Sequence, residues 1–307
     1  MTTLATSRDA GIAGTQPSTA VLSKTRIRNA MTIDVEDYFQ VSAFAPYIAR
    51  DTWPSRECRV EANIERILAI LAAGNVSATF FTLGWIAERY PAMVKRIVAG
   101  GHELASHGYG HLRASDQDHA EFTDDIVRSK ALLEDIGGQA VLGYRAPSFS
   151  IGARNLWTLD ALLEAGYRYS SSIYPIQHDH YGMPEAPRFA FYPNGKDTLL
   201  EIPITTVRVM QRNLPAGGGG YFRLLPYSVS RWLMQRVNRD DKQAAIFYFH
   251  PWEIDPDQPR QLDIGLKTRF RHYVNLGRME NRIKALTRDF EWDRMDRIFL
   301  GNQGAGQ

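Results

Sequence analysis

The stretch 77-SATFFTLGWIAERYPAMVKRIVAGGHELASHG-108 decides the reading of the fold. SATFFTLG is a short apolar run of strand length. PAMVKRIVAGG follows as a helix that ends in glycine, and HELASHG returns as a second strand that passes into a polar loop. Two strands joined through a helix make one crossover unit, which is how parallel strands are connected.

The alternation continues on both sides of this unit. AMTIDV (30–35) reads as a buried strand and NIERILAILAAG (63–74) as a helix, with Ile64, Ile67, Leu68 and Leu71 on one face and Gly74 at its end. Residues 120–138 form a long amphipathic helix stopped by Gly137-Gly138. VLGYRAPS (141–148), YRYSSSIY (167–174), LLEIPITTVRV (199–209) and AAIFYFHPW (244–252) read as further strands. NLWTLDALLEAG (155–166), PYSVSRWLMQRVN (226–238) and the segment 267–290 read as helices. Seven or so such units predict an α/β fold, a closed or nearly closed parallel barrel with its chemistry at the carboxyl ends of the strands.

Composition sets the outer bounds. The chain has 307 residues, 44% hydrophobic and 23% charged, which suits a globular protein with a sizeable core. With 36 basic and 34 acidic residues, net charge +2 and no dense basic run, nucleic acid is not the expected partner. The single cysteine, Cys58, leaves neither an internal disulfide nor a cysteine zinc cage. No apolar stretch is long enough for a membrane span or a signal peptide, so the expected location is cytoplasmic, with membrane association only through a biosynthetic complex. Residues 1–27 read as a flexible tail, 28–295 as one domain and 296–307 as a second tail.

Polar residues that could carry chemistry fall at predicted strand ends. In 32-TIDVEDYF-39, Asp34 and Glu36 share a strand face, and three carboxylates after an apolar strand are costly unless they bind a cation or share a proton. His107 and His111, four apart, suit a metal, although a bare H-x-x-x-H is more often a pair of loop histidines. In 143-GYRAPSF-149, Arg145 could orient a carboxylate, and the backbone after Pro147 could face an oxyanion. His250 ends a very apolar strand before a proline and suits a general acid. Gly217–Gly220 lacks the Lys-Ser/Thr of a phosphate loop and reads as a mobile loop near a groove. Tyr38, Phe39, Tyr181, Tyr221 and Phe222 are candidates for stacking, and His178 and His180 read as a solvated loop.

Taken in order, these groups resemble the polysaccharide deacetylases of carbohydrate esterase family 4, the NodB-homology fold. ATFFTLG, AGGHELASHGYGH and GYRAPSFS carry the resemblance. DVEDYF, LPAGGGGYFRLLPY and YFHPWEIDPDQPR resemble the subgroup found with exosortase-linked (PEP-CTERM) exopolysaccharide loci.

The resemblance implies a distorted (β/α)7–8 barrel, with the chain from about residue 190 as a subgroup-specific extension that completes it. It implies hydrolysis of N-acetyl groups on an N-acetylhexosamine glycan or its precursor, and a divalent metal: zinc first, with cobalt, nickel or manganese as alternatives. It assigns Asp34 as general base, Arg145 as its tether and His250 as general acid. The metal ligands are Glu36, His107 and His111, with Asp37 as the alternative carboxylate. Tyr248, Trp252 and Ile173 would line the acetyl pocket, and the backbone at Ser148 would hold the oxyanion. Ser170 stands where the family has an aspartate, which leaves the orientation of His250 open, with another acid as a candidate substitute. Two other readings are an allantoinase-like cyclic amide hydrolase and an inactive glycan-binding module.

Overall fold

The computed structural model describes residues 26–178, 182–193 and 199–301. The chain begins with strand β1 (Arg28–Val35), followed by helix α1 (Val60–Ala73), β2 (Thr79–Thr82), α2 (Gly84–Arg89), α3 (Pro91–Ala99) and β3 (Glu103–Ser106). It continues through α4 (His119–Gly137), β4 (Gly143–Tyr144), α5 (Trp157–Glu164), β5 (Tyr169–Ser170) and β6 (Leu200–Glu201). Then come β7 (Thr206–Val209), β8 (Arg212–Pro215), α6 (Gly219–Leu224) and α7 (Tyr227–Arg236). Strand β9 (Ile246–Phe249), helices α8 (Leu266–Tyr273) and α9 (Leu276–Asp289) and strand β10 (Glu291–Asp293) complete the order.

Eight strands form one sheet in the order β10-β1-β2-β3-β4-β5-β6, with β9 also paired to β1. Every pairing in it is parallel. β1 is the hub: Thr32–Val35 pair with β2 and Ala30–Ile33 with β9, and all but the first of its residues are buried. That burial explains why β1 reads as a continuous apolar run rather than an alternating one. β6 and β9 are linked through an intervening segment: Ala216 N donates to Thr205 O, and Tyr248 N donates to Gly217 O at 2.7 Å. The sheet is therefore parallel and curled, as the alternation of strands and helices predicts, and takes the form of a half-barrel.

The helices cover the outer face. α1 buries Ile64, Ile67 and Leu71, and each such side chain contributes about 1.5–3 kcal/mol. α4 is started by Asp118 and Glu121, whose side chains bond each other's backbone N–H, and stopped by Gly138 at φ +65°.

Three segments differ in detail from the sequence reading. A helix that the sequence reading did not assign, α2, precedes the expected one at Pro91, and the two are separate because Tyr90 leaves helical geometry just before Pro91. The run 199–209 divides around Pro203. Its first part joins the large sheet, and its second pairs antiparallel with β8 as a separate hairpin. Residues Asp296–Leu300, assigned to the C-terminal tail, form a helical turn after Met295, which is fully buried and donates its N–H to Thr79 Oγ1.

Candidate metal and acid–base centre

Parallel strands present all their carboxyl ends on one side, and the loops leaving them bring the polar residues together. Asp34 lies within β1, and its Oδ1 accepts from Arg145 Nη1 at 2.6 Å. Arg145 is fully buried. Its remaining donors reach Thr32 Oγ1 at 2.8 Å and the carbonyl and hydroxyl of Ser171, and its guanidinium lies 4.0 Å from the Phe81 ring centre. A side chain tied to three separate segments has one geometry available, so Asp34 is held in one orientation.

Glu36, His107 and His111 converge one step further out. One ligand atom from each lies within 4.8 Å of the others, and all three residues are buried. His107 Nδ1 is 2.8 Å from the Arg145 carbonyl, which leaves Nε2 free. The same arginine thus aligns Asp34 with its side chain and His107 with its backbone. His111 sits in left-handed backbone at φ +53°. Arg50 fixes it there by donating to the carbonyls of Gly110 and His111, while Asp125 accepts from Tyr109 N. Glu36 Oε2 lies 2.7 Å from His111 Nε2 but accepts no aligned hydrogen bond, an arrangement expected when both atoms aim at a common third point.

Burial alone would raise the Glu36 carboxyl, but His111 and His250 outweigh it and bring it to about 2. Burial also holds the His107 imidazole near 4, in the neutral form that ligates metals. Asp37, the alternative carboxylate, is turned away from the cluster. Its oxygens accept from the backbone N–H groups of Tyr38, Arg59 and Val60, so it caps the turn after β1 and the start of α1.

His250 follows β9 and points back over β1. Its Nε2 is 3.7 Å from Glu36 Oε1 and 3.9 Å from Asp34 Oδ2. Its Nδ1 is 2.8 Å from Glu253 Oε1, and Glu253 Oε2 accepts from Arg223 Nε at 2.6 Å. Burial works to lower this imidazole, but Glu36 and Glu253 override it and raise it to about 9. Trp252 stacks on His250 at 5.2 Å and donates Nε1–H to Glu36 Oε1.

Of the remaining candidates, Tyr248 packs edge-on against His250 at 5.9 Å and against Phe149 at 4.8 Å. Ser148 and Phe149 adopt left-handed backbone, and Ser148 Oγ bonds Ser42 Oγ at 2.6 Å. Ile173 is buried in the core and donates its N–H to Glu201 Oε1. Ser170 bonds Ser172, not His250. The acid that meets His250 Nδ1 is Glu253, three residues after the histidine, a spacing legible only once the turn at Pro251 is known. Arg223 also has no local signal, because its partner is thirty residues away.

Tyr38, Phe39 and Phe222 are core residues, not stacking platforms, and among the described stacking candidates only Tyr221 is exposed. Tyr181 and His180 lie outside the described residues. The Gly217–Gly219 segment is a packed element rather than a mobile loop. A Cβ on Gly217 would stand 2.1 Å from the Ile246 carbonyl, and one on Gly219 would stand 2.3 Å from Glu253 Oε1.

Fold and centre together define the class: a parallel half-barrel of the NodB-homology type with a buried carboxylate–imidazole cluster at its strand ends. Residues 47–170 match the model of the polysaccharide deacetylase family, and residues 171–300 match that of a domain of unknown function, DUF3473. His107, His111 and Arg145 fall in the first segment, and His250, Glu253 and Arg223 in the second.

Over 113 residues the chain is 32% identical to the peptidoglycan deacetylase of Helicobacter pylori, covering 37% of this chain and 38% of that protein. Over 82 residues it is 37% identical to a peptidoglycan-N-acetylglucosamine deacetylase of Bacillus cereus, covering 27% and 30%. The match thus spans about a third of the length of these relatives. Two crystal structures share the fold. One, from Mycobacterium smegmatis and assigned to the polysaccharide deacetylases, has TM-score 0.56 at 22% identity over 88% of each chain. The other, the allantoinase PuuE, has TM-score 0.57 at 16% identity over 90% of each chain.

Proposed function

We propose that this protein is a metal-dependent deacetylase that removes N-acetyl groups from an N-acetylhexosamine glycan or its precursor. The reading rests above all on one observation. Three buried ligand atoms of Glu36, His107 and His111 lie within 4.8 Å, beside an arginine-held aspartate and a buried histidine. Two imidazoles and a carboxylate suit zinc and neighbouring divalent ions and leave coordination positions open. The unbonded Glu36 Oε2 and the free His107 Nε2 fit that role. A bound divalent ion would polarise an acetamide carbonyl and make a water more acidic.

The remaining steps belong to the chain. Asp34, held by Arg145, accepts a proton from the attacking water through Oδ2, the oxygen not engaged by the guanidinium. The water oxygen bonds to the acetyl carbon, and backbone N–H at Ser148 faces the developing oxyanion. His250 Nε2 gives its proton to the amide nitrogen as the C–N bond breaks. The products are acetate and a free amino sugar. Tyr248 and Trp252, both against His250, form the wall of the acetyl pocket.

The allantoinase-like reading shares the fold, but the full set of two histidines, base and acid supports linear amide hydrolysis. The same set speaks against an inactive binding module. A place in exopolysaccharide synthesis rests on the resemblance of 214-LPAGGGGYFRLLPY-227 and 248-YFHPWEIDPDQPR-260. The test is acetate release from N-acetylglucosamine oligomers by zinc-loaded protein. D34N and H107A should each lose nearly all of it, and full rate in both would overturn the proposal.

A further inference from the structure

His250 works only if Nε2 carries the proton and points at the reacting nitrogen. Among the described residues the contacts that secure this come from the segment matching the domain of unknown function. Glu253 Oε1 accepts from both His250 backbone N, at 3.1 Å, and His250 Nδ1, at 2.8 Å. Its other oxygen is bonded by Arg223 Nε at 2.6 Å. Arg223 and Glu253 are 2% and 1% exposed, so this is an ion pair withdrawn from water. Arg223 is immobilised in turn, because its Nη atoms donate to the carbonyls of Arg271, His272 and Val274 at the end of α8. Gly219 brings the α6 backbone so close to Glu253 that any Cβ there would meet both carboxylate oxygens, at 2.3 and 2.5 Å.

A buried ion pair of this kind is a poor source of stability relative to an apolar substitute, so its presence asks for another reason. We infer that Glu253, clamped by Arg223 and Gly219, is the positioning residue for His250. It fixes the Nδ1–H tautomer and the ring orientation, and takes the place of the acid that Ser170 does not supply. Proton flow balances simply. The Nδ1 proton stays between His250 and Glu253 throughout, and the Nε2 proton goes to the departing amine and is regained from the water proton held by Asp34. This inference rests on the proposed deacetylase reading for its catalytic consequence but not for its geometry.

The experiment compares wild type with E253Q on two substrates. Gln keeps an acceptor for Nδ1–H but removes the charge. With N-acetylglucosamine oligomers, whose amine leaves only when protonated, kcat should fall by about 100-fold with KM changed less than about three-fold. With p-nitrophenyl acetate, whose leaving group needs no proton, E253Q should stay within about three-fold of wild type. An equal loss on both substrates would make Glu253 a merely structural residue and overturn the inference, as would no loss on either. Wild type that fails to release acetate from every glycan would instead overturn the functional reading. Imidazole NMR on the metal-free protein then tests the geometry alone: a low-field Nδ1 proton of His250 should be present in wild type, move upfield in E253Q, where the acceptor is neutral, and be absent in H250Q. Its absence in wild type would overturn the inference. If E253Q does not fold, the R223Q/E253Q pair, which removes both charges together, carries the same comparisons.

Discussion

Arg145 Nη1 stands 2.6 Å from Asp34 Oδ1, while the second oxygen of the same carboxylate faces His250 Nε2 at 3.9 Å. One oxygen is thus committed to the scaffold and the other is turned toward His250. This division makes the arginine hard to replace. Arg145→Lys keeps the charge but has no planar fork to satisfy Asp34, Thr32 and Ser171 together. The expected outcome is a kcat lower by about 10–100-fold with metal content unchanged. Arg145→Met leaves Asp34 buried without its partner and should cost about 3–5 kcal/mol in urea unfolding. An R145K enzyme at wild-type rate would show that the tether is dispensable.

The two carboxylates after β1 should separate cleanly by variant. Glu36→Gln removes a ligand atom from the buried cluster and should abolish stoichiometric zinc binding, measured by elemental analysis after dialysis. Asp37→Ala removes the acceptor of three backbone N–H groups and should lower stability by about 1–2 kcal/mol while zinc stays bound. The reverse pattern would exchange their roles.

The difference between these neighbours marks where sequence reading stops. Strand alternation puts Asp34 and Glu36 on one face, and β1 does hold that pattern to Val35. Beyond Val35 the chain turns, with Glu36 N bonded to Asp34 O, and only that turn decides which acid points inward. Asp34, His107, His111, Arg145 and His250 were legible because each ends or follows an apolar run, and a parallel sheet gathers such ends. Glu253 and Arg223 were not, since their pairing depends on how α6 lies against the loop after β9. The glycine run was misread for the same reason: its lack of side chains answers to close packing, which no local pattern reports.

That packing gives a third expectation. Gly219→Ala places a methyl against the Glu253 carboxylate, so it should reproduce the E253Q effect on glycan deacetylation. Gly220→Ala, one residue on, meets open space and should leave kcat unchanged within about two-fold. Acetate-release kinetics on the pair checks this; equal rates for both variants would mean that the α6 backbone does not hold Glu253.

The last expectation concerns a histidine outside the centre. His102 is buried, and its Nδ1 accepts the N–H of Ala78 at 3.1 Å, a bond that requires the neutral ring. Burial, and then the charges of Arg294 and Arg297, pull its pKa from about 6.5 down to about 4. The folded state therefore binds fewer protons than the unfolded chain between these values. The contribution to stability is present above pH 6.5 and is lost as pH falls through the window. Between pH 7.5 and 5 the loss amounts to about 2 kcal/mol. His102→Gln keeps an acceptor for Ala78 N–H and does not titrate. The stability gap between wild type and this variant, read from urea unfolding, should thus shift by about 2 kcal/mol against wild type on acidification. A gap independent of pH would mean that the His102 ring takes up its proton in the folded protein as readily as in water.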